Sequence, residues 1–314
     1  MAVDLNISLM NVEAGCQRAD GSYDFTPLTR AFLADPIPDL IQLCEAKFWH
    51  TRGQRPFHTA IQELSTLAGR PYVGQLNTGP LATAVIYDPT VLCLAATEEP
   101  YFEDKRNLTQ FRLRADLAYR LQIFTEHWPY SDAEARLSRA KLLARFGASP
   151  VPTVLAGDMN STCSGPHLPT IDWNAVPIGI RDHKGRQQDD GTWSADTRAV
   201  DRLIGAWDST LGHRVGGAGF HHVAELDPQA PNPLPPTVNG ASGLHIDYIL
   251  ANEGLLAAAE VVPGSYQVHI PPGSNPANWS SDHRRISCTL RLHQRVAAVF
   301  DPEASAVGPS GGQL

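Results

Sequence analysis

Apolar and polar residues alternate along this chain in two patterns, one typical of strands and the other of helices. Short apolar runs bounded by turn residues predict strands at residues 5–11, 40–44, 119–125, 153–156, 245–250, 258–262 and 285–292. Two further runs, residues 82–87 and 91–95, flank the turn signal Asp88-Pro89 and predict a β-hairpin. Strands therefore occur in both halves of the chain.

Three segments have the spacing of amphipathic helices. Apolar residues at every third or fourth position predict a helix over residues 58–69 that Gly69 ends. A second helix is predicted over residues 132–146 with Ser131 as its N-cap, and a third near residues 197–207. Because strands and helices alternate irregularly, the pattern favours a layered α/β fold with antiparallel or mixed sheets over a barrel of regular strand–helix–strand units.

The chain shows no internal repeat and no hinge-like linker, so we expect one domain over residues 1–300. A long insertion is predicted at about residues 163–243, where the periodic pattern fades into proline, glycine and polar residues. Residues 301–314 contain few apolar side chains, and we expect them to form a disordered tail.

The composition is that of an ordinary soluble protein. Hydrophobic residues make up 42% and charged residues 18% of the 314 residues. No apolar run is long enough to span a bilayer, and the N-terminal residues lack the basic and apolar regions of a signal peptide. The five cysteines are scattered singly, as free thiols in a reducing compartment are. We therefore expect a cytoplasmic protein, and we expect a monomer.

The charge balance is acidic. Asp and Glu number 33, Lys and Arg number 25, and the formal net charge is −8. A protein that holds DNA by charge alone is basic, so this balance argues against tight, non-specific DNA binding. It leaves room for a nuclease, because a bound metal ion supplies positive charge where a phosphate must lie.

The motif LAGDMN, residues 155–160, ends a predicted buried strand on two polar side chains. Gly157 permits a turn there, and Asp158 and Asn160 point to the same side because alternate residues of an extended chain do. The Asp158 carboxylate can hold a metal-bound or attacking water, and the Asn160 amide can donate to a phosphate oxygen. The alternative is an ordinary turn, in which Gly, Asp and Asn are common.

Two further motifs lie at the start of late strands. In WSSDHRRI, residues 279–286, Asp282 suits a hard cation, and His283 suits a phosphate oxygen that gains charge in the transition state. In HIDYIL, residues 245–250, Asp247 lies among apolar residues and needs a partner, for which a histidine is natural. The alternatives are a solvent-facing loop for the first motif and a strand edge for the second.

Three more polar residues end predicted strands, namely Asn11, Glu45 and His127. Each of them alone is an ordinary residue where a strand meets solvent. Together with the three motifs they make six strand ends, and each carries a side chain that a metal-phosphate site needs. The joint order, rather than any single residue, indicates phosphate chemistry.

The order and spacing of these residues resemble the endonuclease/exonuclease/phosphatase superfamily, the deoxyribonuclease I-like group, from about residue 5 to about residue 292. GDMN is similar to that family's GD-x-N, SDHR to its SDH and HIDYIL to its RIDYI. The resemblance implies a four-layer α/β sandwich, in which two mixed β-sheets pack face to face with helices outside. It also implies Mg²⁺ or Mn²⁺ and hydrolysis by in-line attack of water at phosphorus.

Carried over by position, the resemblance makes Glu45 the principal metal ligand, with Asp282 and Asn11 nearby. Asp158 would position or deprotonate the attacking water, and such proton transfer contributes roughly 10²–10⁴-fold to a rate. The metal ion would offset charge on the phosphoryl oxygens.

The same resemblance lets Asn160 and His127 contact the phosphate. His283 would also contact it and stabilise the charge that develops there, oriented by Asp247. The chain departs from the family at His245, which stands where the family often has arginine. This departure bears on how Asp247 is held.

The predicted insertion begins just after GDMN and ends just before HIDYIL, so we expect it to border the site. It contains the basic residues Arg181, Lys184 and Arg186. We hypothesise that these residues bind an anionic substrate, and a solvated loop is the equal alternative.

Three functions fit these residues. The first hypothesis is a metal-dependent phosphodiester hydrolase, a nuclease acting on DNA, which is common in the family. The second is a phosphatase or phosphodiesterase acting on a small phosphorylated metabolite or lipid headgroup, which the acidic balance favours. The third is a non-catalytic binding protein of the same fold, but such a protein would not need the general base.

Overall fold

The structure is a computed structural model and describes residues 2–33, 36–98, 106–239, 242–270 and 281–293. Its strands are β1 (Ala2–Asn11), β2 (Leu40–Lys47), β3 (Val73–Leu76), β4 (Leu81–Tyr87), β5 (Leu92–Glu98), β6 (Arg106–Leu113), β7 (Arg120–His127), β8 (Thr153–Asp158), β9 (Gly185–Gln187), β10 (Trp193–Ala195), β11 (Ala206–Asp208), β12 (His213–Val215), β13 (Phe220–His222), β14 (Asp247–Asn252), β15 (Ala259–Val261), β16 (Gln267–Val268) and β17 (Ile286–His293). Its α-helices are α1 (Thr26–Phe32), α2 (Thr51–Ala68), α3 (Ala133–Leu143), α4 (Ile178–Lys184), α5 (Arg198–Ile204), α6 (Val223–Leu226) and α7 (Glu253–Leu256). The predicted tail, residues 301–314, lies outside the described residues.

Two mixed sheets carry the fold. The first has the strand order β15-β17-β1-β2-β4-β3, with β16 also paired to β17, and the second has the order β13-β14-β8-β7-β6-β5. β1 is parallel to β2 and β7 is parallel to β8, while the other pairs within these sheets are antiparallel. Both sheets are thus mixed, as the sequence predicted.

The two sheets pack face to face through their apolar side chains. Leu5, Ile7 and Leu9 alternate along β1 and are buried in one core cluster with strands of the second sheet. The polar Gln42 of β2 also spans the interface, because its amide donates to the carbonyl of Phe124 in β7 at 2.9 Å. Burial of both faces explains why these strands are rich in apolar residues.

Helices cover the outer faces of the sheets. Leu28 of α1 and Phe57 of α2 pack with Ile41 and Leu43 of the first sheet in a second core cluster. Helices α3 and α5 contribute Ala140, Leu143, Val200 and Leu203 to the cluster of the second sheet. This arrangement is the predicted four-layer α/β sandwich. None of the described helices is long and apolar enough to cross a membrane.

The predicted hairpin around Asp88-Pro89 is wrong. β4 pairs with β2 and β3 in the first sheet, whereas β5 pairs with β6 in the second. The turn therefore carries the chain between the sheets, and Arg70 fixes it by donating to the Asp88 carboxylate at 2.6 Å. The true partner β6 was missed because it has few apolar residues, and only Phe111 and Leu113 stand two apart while Leu108 falls outside that period.

Several helix ends differ from the predictions, since α2 begins at Thr51 and not at residue 58, and α3 ends at Leu143 and not at residue 146. Asp132, and not Ser131, is the N-cap of α3, because its carboxylate accepts the backbone N–H of Ala135 at 2.9 Å. A charged acceptor also interacts favourably with the positive end of the helix dipole. Helix α5 ends at Ile204, short of the predicted residue 207. Gly69 ends α2 as predicted, with a left-handed φ of 65°.

The segment predicted as an insertion, residues 163–243, has its own order. It contains α4 to α6 and β9 to β13, and part of it forms a small apolar cluster around Trp173 and Val238. The guanidinium group of Arg214 donates to both oxygens of Glu225, at 2.7 and 2.8 Å, and to the carbonyl of Ser164 at 2.8 Å. This partly buried ion pair ties the start of the segment, at Ser164, to Arg214 and Glu225 in its later part.

Candidate active site

Six strand ends meet at one edge of the sandwich. The carboxyl ends of β1, β2, β7 and β8 lie there with the amino ends of β14 and β17. The side chains singled out in the sequence lie at this edge and form one connected set: Asn11, Glu45, His127, Asp158, Asn160, Asp247, Asp282 and His283. A cavity of about 520 Å³ opens beside them.

Asp158 is the last residue of β8. The surroundings of Gly157, the residue before it, explain why GDMN contains a glycine. A Cβ added at Gly157 would lie 1.9 Å from the carbonyl oxygen of Glu126 in the parallel strand β7. Gly157 is therefore required by close strand packing and not by the turn that the sequence suggested. The turn comes later, at Asn160, which has a left-handed φ of 47°.

The amide of Asn160 is held on both sides. Its Nδ2 donates to the carbonyl of Trp128 at 2.9 Å and to Asp158 Oδ2 at 3.3 Å, while its Oδ1 accepts from Lys184 Nζ. Because an ammonium group can only donate, the Lys184 contact identifies which end of the amide is the oxygen. Both amide hydrogens thus have acceptors within the protein.

Glu45 reaches the site through a β-bulge. The register of β2 against β4 shifts between Leu43 and Ala46, and Glu45 has a left-handed φ of 60°. Its side chain lines the cavity. The amide of Asn11 donates to Glu45 Oε1 at 3.1 Å and to Asp158 Oδ2 at 3.0 Å, so Asn11 fixes the two carboxylates relative to each other.

His283 is the hydrogen-bond partner of the Asp247 carboxylate. Its Nδ1 lies 2.8 Å from Asp247 Oδ2, and its Nε2 lies 3.7 Å from Asp158 Oδ2. Burial lowers the pKa of His283, but the two carboxylates raise it more, to about 10. The ring is therefore an imidazolium at neutral pH, held between two buried carboxylates.

His245, which stands where the family often has arginine, does not hold the Asp247 carboxylate. Oδ2 of Asp247 pairs with His283, Oδ1 is buried without a hydrogen-bond partner among the described residues, and the backbone N–H of Asp247 donates to Thr237 Oγ1 at 3.1 Å. His245 instead lies against the carbonyl of Pro235, with its Nδ1 at 2.9 Å. Burial lowers the pKa of His245 to about 3, so this ring is neutral.

His127 lies between two carboxylates at the wall of the cavity. Its Nε2 is 3.4 Å from Glu45 Oε1 and 3.7 Å from Asp158 Oδ2. Burial raises the pKa of Asp158, but His283, His127 and Lys184 lower it more, to below its ordinary value. Asp158 is therefore a carboxylate that can accept a hydrogen bond from water.

Asp282 lies at the mouth of the cavity beside Glu13, an acidic residue that no sequence motif indicated. Its side chain is 56% exposed, and its backbone N–H donates to Glu13 Oε2 at 3.1 Å. Burial raises the pKa of Glu13, and the nearby Asp282 carboxylate raises it further. Glu13 was missed because it lies beyond β1, in a turn that no motif marks.

The acidic side of the cavity fits a divalent metal ion. Glu13, Glu45 and Asp282 offer hard carboxylate oxygens. Burial is the main cause of the raised pKa of Glu13, and the negative charges of Asp282 and Glu45 add a repulsion that a cation would relieve. Ligand atoms of Asp158, Asp247 and His283 also lie within 4.8 Å of one another. However, the direct hydrogen bond between Asp247 and His283 occupies that space, so the Glu45 side suits an ion better.

The segment of residues 163–243 brings one of its three basic candidates to the cavity. Lys184, the last residue of α4, is buried and lines it. Arg181 instead lies over the ring of Trp193, 4.9 Å from its centroid, and Arg186 is exposed on β9. A sequence cannot rank these three cations, because the choice depends on how α4 packs.

The comparison with known families agrees with this geometry. A family model described as the Endonuclease/Exonuclease/phosphatase family matches residues 29–283, most of the chain. The chain belongs to this family. Its members are hydrolytic phosphoesterases that generally depend on a divalent metal ion. Among curated protein sequences, none matched this chain significantly.

Solved structures show the same fold at low sequence identity. D. rerio TDP2, humanized by 14 mutations, is 17% identical with a TM-score of 0.56, over 91% of this chain and 98% of that one. ANGEL2, a 2',3'-cyclic phosphatase, is 15% identical with a TM-score of 0.57, over 93% and 96%. An endonuclease/exonuclease/phosphatase from Beutenbergia cavernae DSM 12333 is 16% identical with a TM-score of 0.56, over 92% and 72%.

Proposed function

We propose that this family member is a divalent-metal-dependent phosphoester hydrolase in which Asp158 activates a water for in-line attack at phosphorus. The observation that carries the proposal is the convergence of Asp158, His127 and His283 on one cavity beside the acidic residues Glu45 and Asp282. A general base, phosphate-binding donors and metal ligands are the parts that this chemistry needs.

Each protein group has a role that follows from its position. The Asp158 carboxylate orients the water and accepts its proton, since its lowered pKa keeps it ionised at neutral pH. The His283 imidazolium donates to a phosphoryl oxygen and offsets the charge that grows there. Asp247 holds the His283 ring in orientation and keeps it protonated. His127 supplies a further donor from the opposite wall.

Glu45 and Asp282, with Glu13 and Asn11 beside them, would hold Mg²⁺ or Mn²⁺. The ion, when bound, offsets negative charge on the phosphoryl oxygens. Asn11 keeps the Glu45 carboxylate turned toward the cavity. The same amide holds Asp158, so the water-activating and acidic sides of the site stay in register.

We propose a small or terminal phosphoester as the substrate. Of the described residues that line the cavity, four are carboxylates and one is a lysine, whereas a groove for a polynucleotide is rich in Lys and Arg. The carboxylates are Glu13, Glu45, Asp158 and Asp282. Cleavage of DNA, the first hypothesis from sequence, is the second candidate. It is favoured by Tyr130, which is 51% exposed at the cavity and offers a ring for base stacking.

A substrate panel tests the proposal. The chain is assayed with Mg²⁺, Mn²⁺ or chelator on p-nitrophenyl phosphate, bis-p-nitrophenyl phosphate, plasmid DNA, abasic DNA, single-stranded DNA and RNA. Asp158→Asn and His283→Ala are each expected to reduce kcat by roughly 10²–10³-fold. Asp4→Asn and His213→Ala, both exposed and remote from the cavity, are the matched controls and should retain full activity.

The outcomes separate the possibilities. Turnover of small monoesters but not polynucleotides supports the proposed substrate class, and the reverse supports the nuclease. Absence of metal-dependent turnover across the panel would contradict the proposed function. Full activity in both Asp158→Asn and His283→Ala would show that the site is assigned to the wrong residues.

A further inference from the structure

Lys184 is a buried ammonium group without an ion-pair partner among the described residues. Its relative exposure is 3%, and no described carboxylate forms a salt bridge with it. A buried charge is costly unless an opposite charge compensates it. Burial lowers the pKa of Lys184 to about 7 even though the nearby Asp158 raises it, so an additional anion would stabilise the charged form.

The neighbours of Lys184 leave it one hydrogen to donate. Its Nζ donates to Asn160 Oδ1 and to the carbonyl of Tyr130 at 3.1 Å, and it lies 4.0 Å from the centroid of the Tyr130 ring. An ammonium group has three N–H donors, and these contacts provide oxygen acceptors for two. The third has no oxygen acceptor among the described residues, and Lys184 lines the cavity.

The side-chain amide of Asn160 is already committed to protein acceptors. Both amide hydrogens of Asn160 go to Trp128 and Asp158, so in this arrangement Asn160 has none to give to a phosphate. The ammonium group of Lys184 donates to the Oδ1 of this amide. A phosphate that enters beside Asp158 and His283 would therefore find a further donor in Lys184 rather than in Asn160.

We propose that Lys184 contacts the substrate phosphate directly and favours a doubly charged terminal phosphate over an internal diester. The proposal rests on the proposed function, because it places the phosphate in the same cavity. Its physical basis is that the attraction between an ammonium group and an anion grows with the charge of the anion. A monoester dianion therefore gains more from Lys184 than a diester monoanion does.

Equilibrium binding of two probes tests this. Methyl phosphate and dimethyl phosphate differ by one methyl group and, at about pH 7, by one charge, because the second pKa of a phosphate monoester is about 6. Each probe is titrated into the full chain with Mg²⁺ and followed by ³¹P NMR or calorimetry. The variants are Lys184→Met, Lys184→Gln and Lys184→Arg, with Arg186→Met as the control from the exposed strand β9.

We expect Lys184→Met to weaken methyl phosphate binding about 10- to 100-fold, the usual effect of losing a charged hydrogen bond. Dimethyl phosphate binding should fall several-fold less. Lys184→Arg should keep part of the preference for the monoester, and Arg186→Met should bind both probes as the unmodified chain does. Thermal melting monitors folding, and Lys184→Gln carries the same comparison if the methionine variant unfolds.

Two results would overturn the proposal. Unchanged methyl phosphate binding in Lys184→Met or Lys184→Gln would show that Lys184 does not contact phosphate. An equal loss for both probes would make Lys184 a positioning residue that acts through Asn160. Failure of the proposed function is separate, since it appears as absence of turnover by the unmodified chain whatever the probes do.

Discussion

At the scale of single residues, two left-handed backbone conformations direct side chains into the site. Asn160 has a φ of 47° and Glu45 a φ of 60°. Such conformations cost of order 1–3 kcal/mol each and persist where the surrounding structure holds them. Asparagine adopts this conformation readily, so the turn in GDMN could be anticipated. Glutamate rarely does, and nothing in QLCEAK marks the bulge that turns Glu45 toward the cavity.

The metal assignment is tested at Glu45. Replacing Glu45 by Gln removes a negative oxygen ligand while keeping the shape of the side chain. We expect the Mg²⁺ concentration for half-maximal activity to rise about tenfold or more, as for other changes close to a metal site. Glu260→Gln, an exposed change on β15, is the control. An unchanged metal requirement would remove Glu45 as a ligand.

Gly157 gives a prediction about packing. Gly157→Ala brings a Cβ within 1.9 Å of the Glu126 carbonyl, so β7 and β8 must move apart. We expect the free energy of unfolding to fall by about 1–3 kcal/mol or more, measured by urea denaturation. Gly179→Ala is the matched control, because a Cβ there meets nothing within 4 Å. Equal denaturation midpoints for the two variants would refute this account.

At the scale of elements, the 163–243 segment forms one wall of the cavity. Ile180 and Lys184 of α4 and Val238 line it, as expected for a segment that leaves at GDMN and returns at HIDYIL. The positions of its two ends, next to GDMN and HIDYIL, were enough to predict that this segment borders the site. It could not show which side chains face inward, because α4 has no clear apolar stripe to set its orientation.

The Arg214–Glu225 pair is expected to hold this segment in place. The two side chains are 10% and 20% exposed, so Arg214→Met leaves a partly buried carboxylate without its guanidinium partner, with His167 Nε2 still 2.7 Å away. We expect the free energy of unfolding to fall by roughly 1–3 kcal/mol and protease cleavage within residues 163–243 to become faster. Arg202→Met, an exposed change on α5, should have no comparable effect. Equal protease resistance in the two variants would exclude this role for the ion pair.

At the scale of the whole molecule, packing of the two sheets assembles the site from distant segments. Asn11 and Asp158 are 147 residues apart and hydrogen bonded, and Ser281 donates to the Asn11 carbonyl across 270 residues. The family's order of strand ends makes this assembly recognisable in the sequence. The partition of β4 and β5 between the sheets was not recognisable, because a local turn looks the same in either arrangement.

The charge of the molecule predicts a shallow salt dependence for polynucleotide binding. The net charge is −8, and Lys184 is the only Lys or Arg among the described residues that line the cavity. The slope of log K against log salt should correspond to about one or two phosphate contacts. Fluorescence anisotropy with single-stranded and duplex DNA measures this slope. A steep slope would favour the nuclease over the small or terminal substrate.

The sequence by itself determined the fold class and the set of polar residues at the strand ends. These features are local, since each motif joins a strand pattern to the side chain that ends it. Only the tertiary structure decided that Gly157 serves strand packing, that Glu45 lies in a bulge, and that Glu13 and Lys184 reach the cavity. Each of these depends on contacts between segments far apart in the chain, which no local pattern encodes.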